Sequence, residues 1–210
     1  MSQRGIIEHL EKDSILRDVL DVTPFPEYIN TGDLFEDLAS CILDMRIHYA
    51  GSNAAFRYKR LKGMIDGEPI TPDLILDMPP VIEAALKLSR QKKESLELLA
   101  KRWLEEWHAV DWSNMSDEEV SELLQTVKGI GKWSIQMILM FTLERPDLFP
   151  NGDYQLRKAM CEVYSLDEDD KALSDQLEEI ASGWAPYRSV AVRYLWKWRR
   201  EIRGSRSRGA

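Results

Sequence analysis

The 210-residue chain carries only two cysteines, Cys41 and Cys161. Two thiols build neither a disulfide framework nor a four-cysteine iron–sulfur centre, so both are expected as reduced core or near-surface thiols in a reducing compartment. The three histidines, His9, His48 and His108, lack metal-site spacing. No apolar run approaches the roughly 20 residues of a membrane span, and Met1 to Lys12 lacks a signal-peptide pattern. No stretch alternates apolar and polar residues as a half-buried strand does, and there is no internal repeat or low-complexity linker. An excess of positive charge is missing too. The net charge of −8 argues against a protein that coats nucleic acid generally.

What is present reads as helix throughout, and the fold class is all-α. With 44% hydrophobic and 30% charged residues, the chain can bury a full core in one domain or two small lobes. Pro24 and Pro26 end an N-terminal helix of about Ile6 to Leu20. Asp33 caps a helix expected to reach Ile47, Gly51-Ser52 breaks it, and Asn53 to Met64 is the next. Thr71-Pro72 and Pro79-Pro80 each open a short helix, the second reaching Leu88. Ser89 caps Gln91 to Trp107, with Leu96, Leu99, Trp103 and Leu104 as its apolar stripe. Ser116 opens Asp117 to Val127 with a Ser-x-x-Glu capping box. Asp170 to Ser182 and Pro186 to Ile202 are the last two helices.

Charge is distributed unevenly. From Arg188 to Ala210 eight basic residues face one acid, Glu201, so this end carries +7 and the remainder −15. A basic end on an acidic body steers a polyanion to one face and makes its binding salt-sensitive. Arg203 to Arg208 reads as a disordered tail.

Chemistry concentrates in two stretches. In the first, Leu123 to Ser134, an apolar helical face ends at Val127, Gly129-Ile130-Gly131 turns, and a helix opens at about Lys132. The glycines allow a tight turn, and Ile130 plugs the gap between the helices. N–H groups at the turn point outward, where the helix dipole adds partial positive charge, and that seats a phosphate without reading base sequence. A plain helix–helix connection with a glycine C-cap fits the same residues. In the second, Arg145 to Arg157, two prolines and Asn151-Gly152 force a loop, and Asp153 caps a helix of Tyr154 to about Tyr164. A carboxylate at a helix N-terminus is favoured in its charged form. Asp153 is either a cap alone or a cap with chemistry.

Taken together, Gln125 to Trp133 followed by Phe149-Pro150-x-x-Asp153-Tyr154 resembles the helix–hairpin–helix DNA glycosylase superfamily, and within it the 3-methyladenine DNA glycosylase II branch. The likeness runs from about Leu34 to Trp198. It implies a two-lobed helical fold with the active cleft between the lobes. Residues 1–33 and 148–210 form one lobe, and 34–147 the other, with the hairpin at about 118–143. The implied activity is removal of an alkylated purine from damaged double-stranded DNA.

The resemblance also assigns roles. Asp153 is catalytic. Gly129, Gly131, Lys132 and Ser134 hold the DNA backbone, and the main-chain carbonyls of Gln125, Val127 and Gly129 bind an alkali-metal ion, Na+ or K+. No cofactor is required. Trp133 stands where lyase relatives carry a lysine, so the enzyme is expected to be monofunctional. Trp133, Trp196 and Met137 line the base pocket, where a cationic methylated base meets aromatic rings. His48 and Tyr49 replace the usual wedge pair, and Tyr49 is the wedge candidate. Ser89 to Lys93 is similar to a Gly-x-Ser-x-x-Lys segment, but also to any capped helix start.

One conspicuous aspartate suits a base that is already cationic, since such a base leaves without help from an acid. Two further readings stay open: excision of a deaminated or oxidised base, and a non-catalytic DNA-binding module. A monomer is expected, acting in the cytoplasm of a bacterium or archaeon or in a eukaryotic nucleus, with no membrane partner.

Overall fold

The computed structural model describes residues 2–28, 31–44 and 56–206, with side chains to 201. In chain order the helices are α1 (Gln3–Leu10), α2 (Ser14–Val22), α3 (Leu34–Asp44), α4 (Phe56–Met64), α5 (Pro72–Leu76), α6 (Pro80–Leu86) and α7 (Arg90–Glu105). Then follow a 3-10 turn at Trp107–Ala109, α8 (Asp117–Leu124), α9 (Lys132–Met137), a π-helical turn at Ile138–Thr142, α10 (Tyr154–Tyr164), α11 (Leu173–Ser182) and α12 (Arg188–Arg206). Among the described residues there is no strand.

The chain divides into two compact units, Tyr28–Glu144 and the pair Met1–Glu27 with Arg145–Ala210. The later division falls before Arg145 rather than at Leu148, because residues 145–147 are tied forward to α12. Ser189 Oγ donates to the Arg145 carbonyl at 2.7 Å, and Ser189 N to the Pro146 carbonyl at 3.0 Å.

The middle unit is built on α3. Every residue from Leu34 to Leu43 is buried, and α3 packs against α4, α7 and the π-helical turn. Leu96, Leu99 and Ala100 supply the facing surface of α7. The expected stripe is corrected at its end: Trp103 is half-buried with its ring edge to face on Phe35 at 5.4 Å, whereas Leu104 is 43% exposed. Trp107 and Trp112 close that end, edge to face at 5.4 Å.

Two carboxylates lie inside this core. Glu36 accepts from Tyr58 Oη at 2.5 Å, Lys62 Nζ and Ile70 N at 3.0 Å. Asp37 is fully buried, accepting from Thr31 Oγ1 at 3.0 Å and Thr142 Oγ1 at 2.7 Å. Desolvation pushes its carboxyl up to about 6 against the pull of the two threonine bonds, and the charges of Asp33 and Glu36 add to the rise. A raised carboxyl binds its proton more tightly when folded, so stability is lost as pH rises from about 4 through 6. Asp37→Asn should therefore abolish a loss of about 1–1.5 kcal/mol between pH 5 and 7.5, the rest of the effect falling below pH 5. Urea unfolding at both pH values checks this; an Asn variant with the same pH slope as the parent contradicts it.

The other unit joins α1 and α2 to α10, α11 and α12. The single N-terminal helix expected from sequence is two, broken at Asp13. Its Oδ1 caps α2 through Ile15 N and Leu16 N, both at 3.0 Å, and its Oδ2 accepts from Tyr164 Oη at 2.6 Å and Trp184 Nε1 at 3.0 Å. A carboxylate that takes four donors outweighs helix continuity. Burial raises the Asp13 carboxyl, but these hydrogen bonds win and hold it below its ordinary value.

Several helix limits shift. Lys87, in the left-handed region, stops α6 at Leu86. α8 ends at Leu124, and α11 starts at Leu173, with Asp170 Oδ1 accepting from Ala172 N before it. α12 runs through Arg206, so 203–206 are helical backbone rather than tail. The expected end of α3 at Ile47 and start of α4 at Asn53 lie outside the described residues. No helix among the described residues is long and apolar enough to cross a membrane.

Candidate active site

The hairpin belongs to the middle unit. The capping box at Ser116 and Glu119 starts α8, and its buried Val120 and Leu124 with Val127 carry the apolar face to the turn. Ile130 plugs the turn as expected, 5% exposed, its N–H donating to the Val127 carbonyl at 3.1 Å. The two glycines do different work. Gly129 has φ +98°, and a Cβ there would meet Ser95 Oγ at 3.3 Å. Gly131 has φ −99° and ψ 173°, and a Cβ would meet nothing within 4 Å. The fold thus requires glycine at 129 and tolerates a side chain at 131. Gly131 is the N-cap of α9 and supplies no side-chain cap to the first N–H groups of that helix.

After the turn, Lys132 is exposed, Trp133 half-buried and Ser134 buried. The Ser134 hydroxyl turns inward to hydrogen-bond Cys41, so the side chain read as a backbone contact faces the core. Burial, with the nearby Asp37 charge, pushes the Cys41 thiol up and leaves it inert. Met137 is 1% exposed and packed in the core, so the pocket residue read from sequence presents no open surface. Gln125 is exposed and Val127 buried. His48 and Tyr49 lie outside the described residues. Among the described residues no three His, Cys, Asp or Glu side chains gather as a metal site.

The carboxylate belongs to the other unit. Asp153 N-caps α10, its Oδ1 accepting from Leu156 N at 2.7 Å. The same Oδ1 accepts from Trp196 Nε1 at 3.0 Å. Trp196, half-buried on α12, is thereby brought to the carboxylate. Trp184, by contrast, is fully buried. The loop ahead of Asp153 is fastened at both ends. Arg188 grips Asp147 through Nε–Oδ1 at 2.8 Å and Nη2–Oδ2 at 2.9 Å, which holds the Asp147 carboxyl below its usual range. Asn151 Nδ2 donates to Ser174 Oγ at 2.9 Å and Glu178 Oε1 at 3.1 Å, and Asp153 N closes a turn on the Pro150 carbonyl at 2.8 Å.

One buried cation was not anticipated. Arg199, 3% exposed, bridges α12 to α10 through Glu162 at 3.2 Å and Gln155. It belongs to the basic end, but it is spent internally, as is Arg188. No sequence spacing marks either pair. A fixed carboxylate beside an indole, and a glycine turn that leaves a helix start uncapped, suit a cationic transition state and a phosphate respectively.

No family model matches the chain. It is 31% identical over 167 residues to a DNA-3-methyladenine glycosylase of Schizosaccharomyces pombe, covering 78% of this chain and 71% of that protein. The chain belongs to the DNA-3-methyladenine glycosylase family. Among solved structures, the 3-methyladenine DNA glycosylase Mag1 of S. pombe in complex with abasic DNA is similar, with a TM-score of 0.78 and 26% identity over 92% of this chain and 95% of that one. A DNA-3-methyladenine glycosidase of Bacillus halodurans gives 0.71 and 25%, over 93% and 89%. The all-helical fold matches that of these solved structures.

Proposed function

We propose that this glycosylase flips and excises alkylated purines such as 3-methyladenine from double-stranded DNA by hydrolysing the N-glycosidic bond, without lyase activity. The observation that carries the reading is Asp153, capped onto α10 and held by Trp196 at 3.0 Å. As the bond breaks, positive charge develops on the sugar, and a fixed carboxylate stabilises it or activates the attacking water. A methylated purine is cationic and leaves as a neutral base, so no second acid is needed. Trp196, hydrogen-bonded to the carboxylate, supplies an aromatic face for that cation.

Duplex binding rests on the hairpin. The open approach at Gly131 lets a phosphate reach the uncapped N–H groups of α9, and Lys132 adds a charge. Ser134 contributes its main chain rather than its inward-facing hydroxyl. The carbonyls of Gln125, Val127 and Gly129 are hard oxygen donors suited to Na+ or K+. The Val127 oxygen, which accepts from Ile130 N, has a second lone pair for the ion. The relatives' names favour alkylated bases over deaminated or oxidised ones. Release of 3-methyladenine, 7-methylguanine, hypoxanthine and uracil from matched duplexes tests the reading. Methylated purines should be released fastest; preferential release of hypoxanthine or uracil overturns the substrate class.

A further inference from the structure

We infer that the outer face of α4 is a second DNA-backbone surface, formed by Phe56, Lys59 and Arg60. The inference rests on the reading that duplex DNA is the partner. Of the nine residues of α4, four are basic and none is acidic, in a chain whose net charge is −8. Two of the four are occupied. Arg57 Nη1 lies 3.6 Å from Asp44 Oδ1 and its Nε donates to the Leu86 carbonyl at 3.2 Å. Lys62 pairs with Glu36 at 3.0 Å and donates to the Glu68 carbonyl at 2.7 Å.

Lys59 and Arg60 differ. Both are exposed, and among the described residues neither has a carboxylate partner. Phe56 is 61% exposed, with the Arg60 guanidinium 5.7 Å from its ring centre. Residues 56, 59 and 60 share a helix face by their i, i+3, i+4 spacing. The face therefore offers two uncompensated cations around one apolar ring. The Arg60–Phe56 contact stabilises the face only slightly, whereas a phosphodiester strand meets the cations with phosphates and the ring with its sugar edges.

The platform is also rigid. Asp44, at the end of α3, accepts from Arg57 N at 3.1 Å and Tyr58 N at 2.9 Å, capping α4 across the intervening segment. Lys92 Nζ donates to the Ile42 and Leu43 carbonyls at 2.8 and 2.6 Å, closing the end of α3. Lys92, in the capped start of α7, is thus a structural tie.

Fluorescence anisotropy of an undamaged labelled duplex, titrated with the full chain between 50 and 200 mM KCl, tests the surface. The Lys59→Gln/Arg60→Gln variant should flatten the slope of log affinity against log salt by about 1.8, the loss of two phosphate contacts. Phe56→Ser should weaken binding several-fold with the slope unchanged. Circular dichroism establishes that both variants are folded. A folded double variant with the parent slope overturns the α4 surface while leaving the glycosylase reading standing. Failure of the parent itself to bind any duplex overturns both.

Discussion

Asp153→Asn should abolish base release while leaving the fold intact. Asn is as good an N-cap as Asp, and its Oδ1 accepts from Leu156 N and Trp196 Nε1 as the carboxylate oxygen does. What is lost is the negative charge facing the developing sugar cation. The expected loss in single-turnover rate is roughly a thousandfold or more, about 4 kcal/mol of transition-state stabilisation. Thermal midpoint and affinity for a lesion-containing duplex should stay near the parent values. An Asn variant that releases base at near the parent rate removes Asp153 from the chemistry.

The second large effect separates the two glycines of the hairpin. Gly131→Ser should raise stability and weaken duplex binding together. The backbone at 131 already has extended N-cap geometry, and a Cβ there meets nothing within 4 Å. A serine hydroxyl would accept from the first-turn N–H groups, which gives a few tenths of a kcal/mol over glycine. Those are the groups proposed to take the phosphate, so affinity for damaged and undamaged duplex should fall alike, by about tenfold, or about 1.4 kcal/mol. Gly129→Ala behaves in the opposite manner. At φ +98° with Ser95 Oγ at 3.3 Å, the added methyl strains the turn, and stability should fall by about 1–2 kcal/mol. A stabilised Gly131→Ser variant with parent affinity would sink the phosphate seat.

These two sites show what is readable from the chain. Asp153 and its helix were legible because cap, loop and helix are contiguous, and Tyr154–Tyr164 has the expected limits. The capping box at Ser116 and the plug at Ile130 were legible for the same local reason. Contacts between distant positions were not. Asp13 meets Trp184 across 171 residues, Asp37 meets Thr142 across 105, and Asp147 meets Arg188 across 41. No periodicity encodes such pairs, so the break between α1 and α2 and the internal use of Arg188 and Arg199 emerge only once the helices are packed. The inward turn of Ser134 belongs here as well. Its neighbour Lys132 is exposed, and only the position of Cys41 on α3 decides where the hydroxyl points.

Strand chemistry distinguishes a monofunctional glycosylase from a lyase and from a non-catalytic DNA-binding module. Position 133 is tryptophan, and Lys132, one residue earlier, points about 100° away on a helix of 3.6 residues per turn. A Schiff-base lyase needs a neutral amine at the sugar carbon, so Lys132→Ala should lower duplex affinity and its salt dependence rather than the excision rate. The most direct measurement follows one end-labelled duplex with a single methylated purine, assaying free base by chromatography and the strand by denaturing gel before and after hot alkali. Free 3-methyladenine or 7-methylguanine should appear, with a strand that breaks only after alkali. No free base, or a strand cut without alkali through a borohydride-trappable adduct, would contradict it.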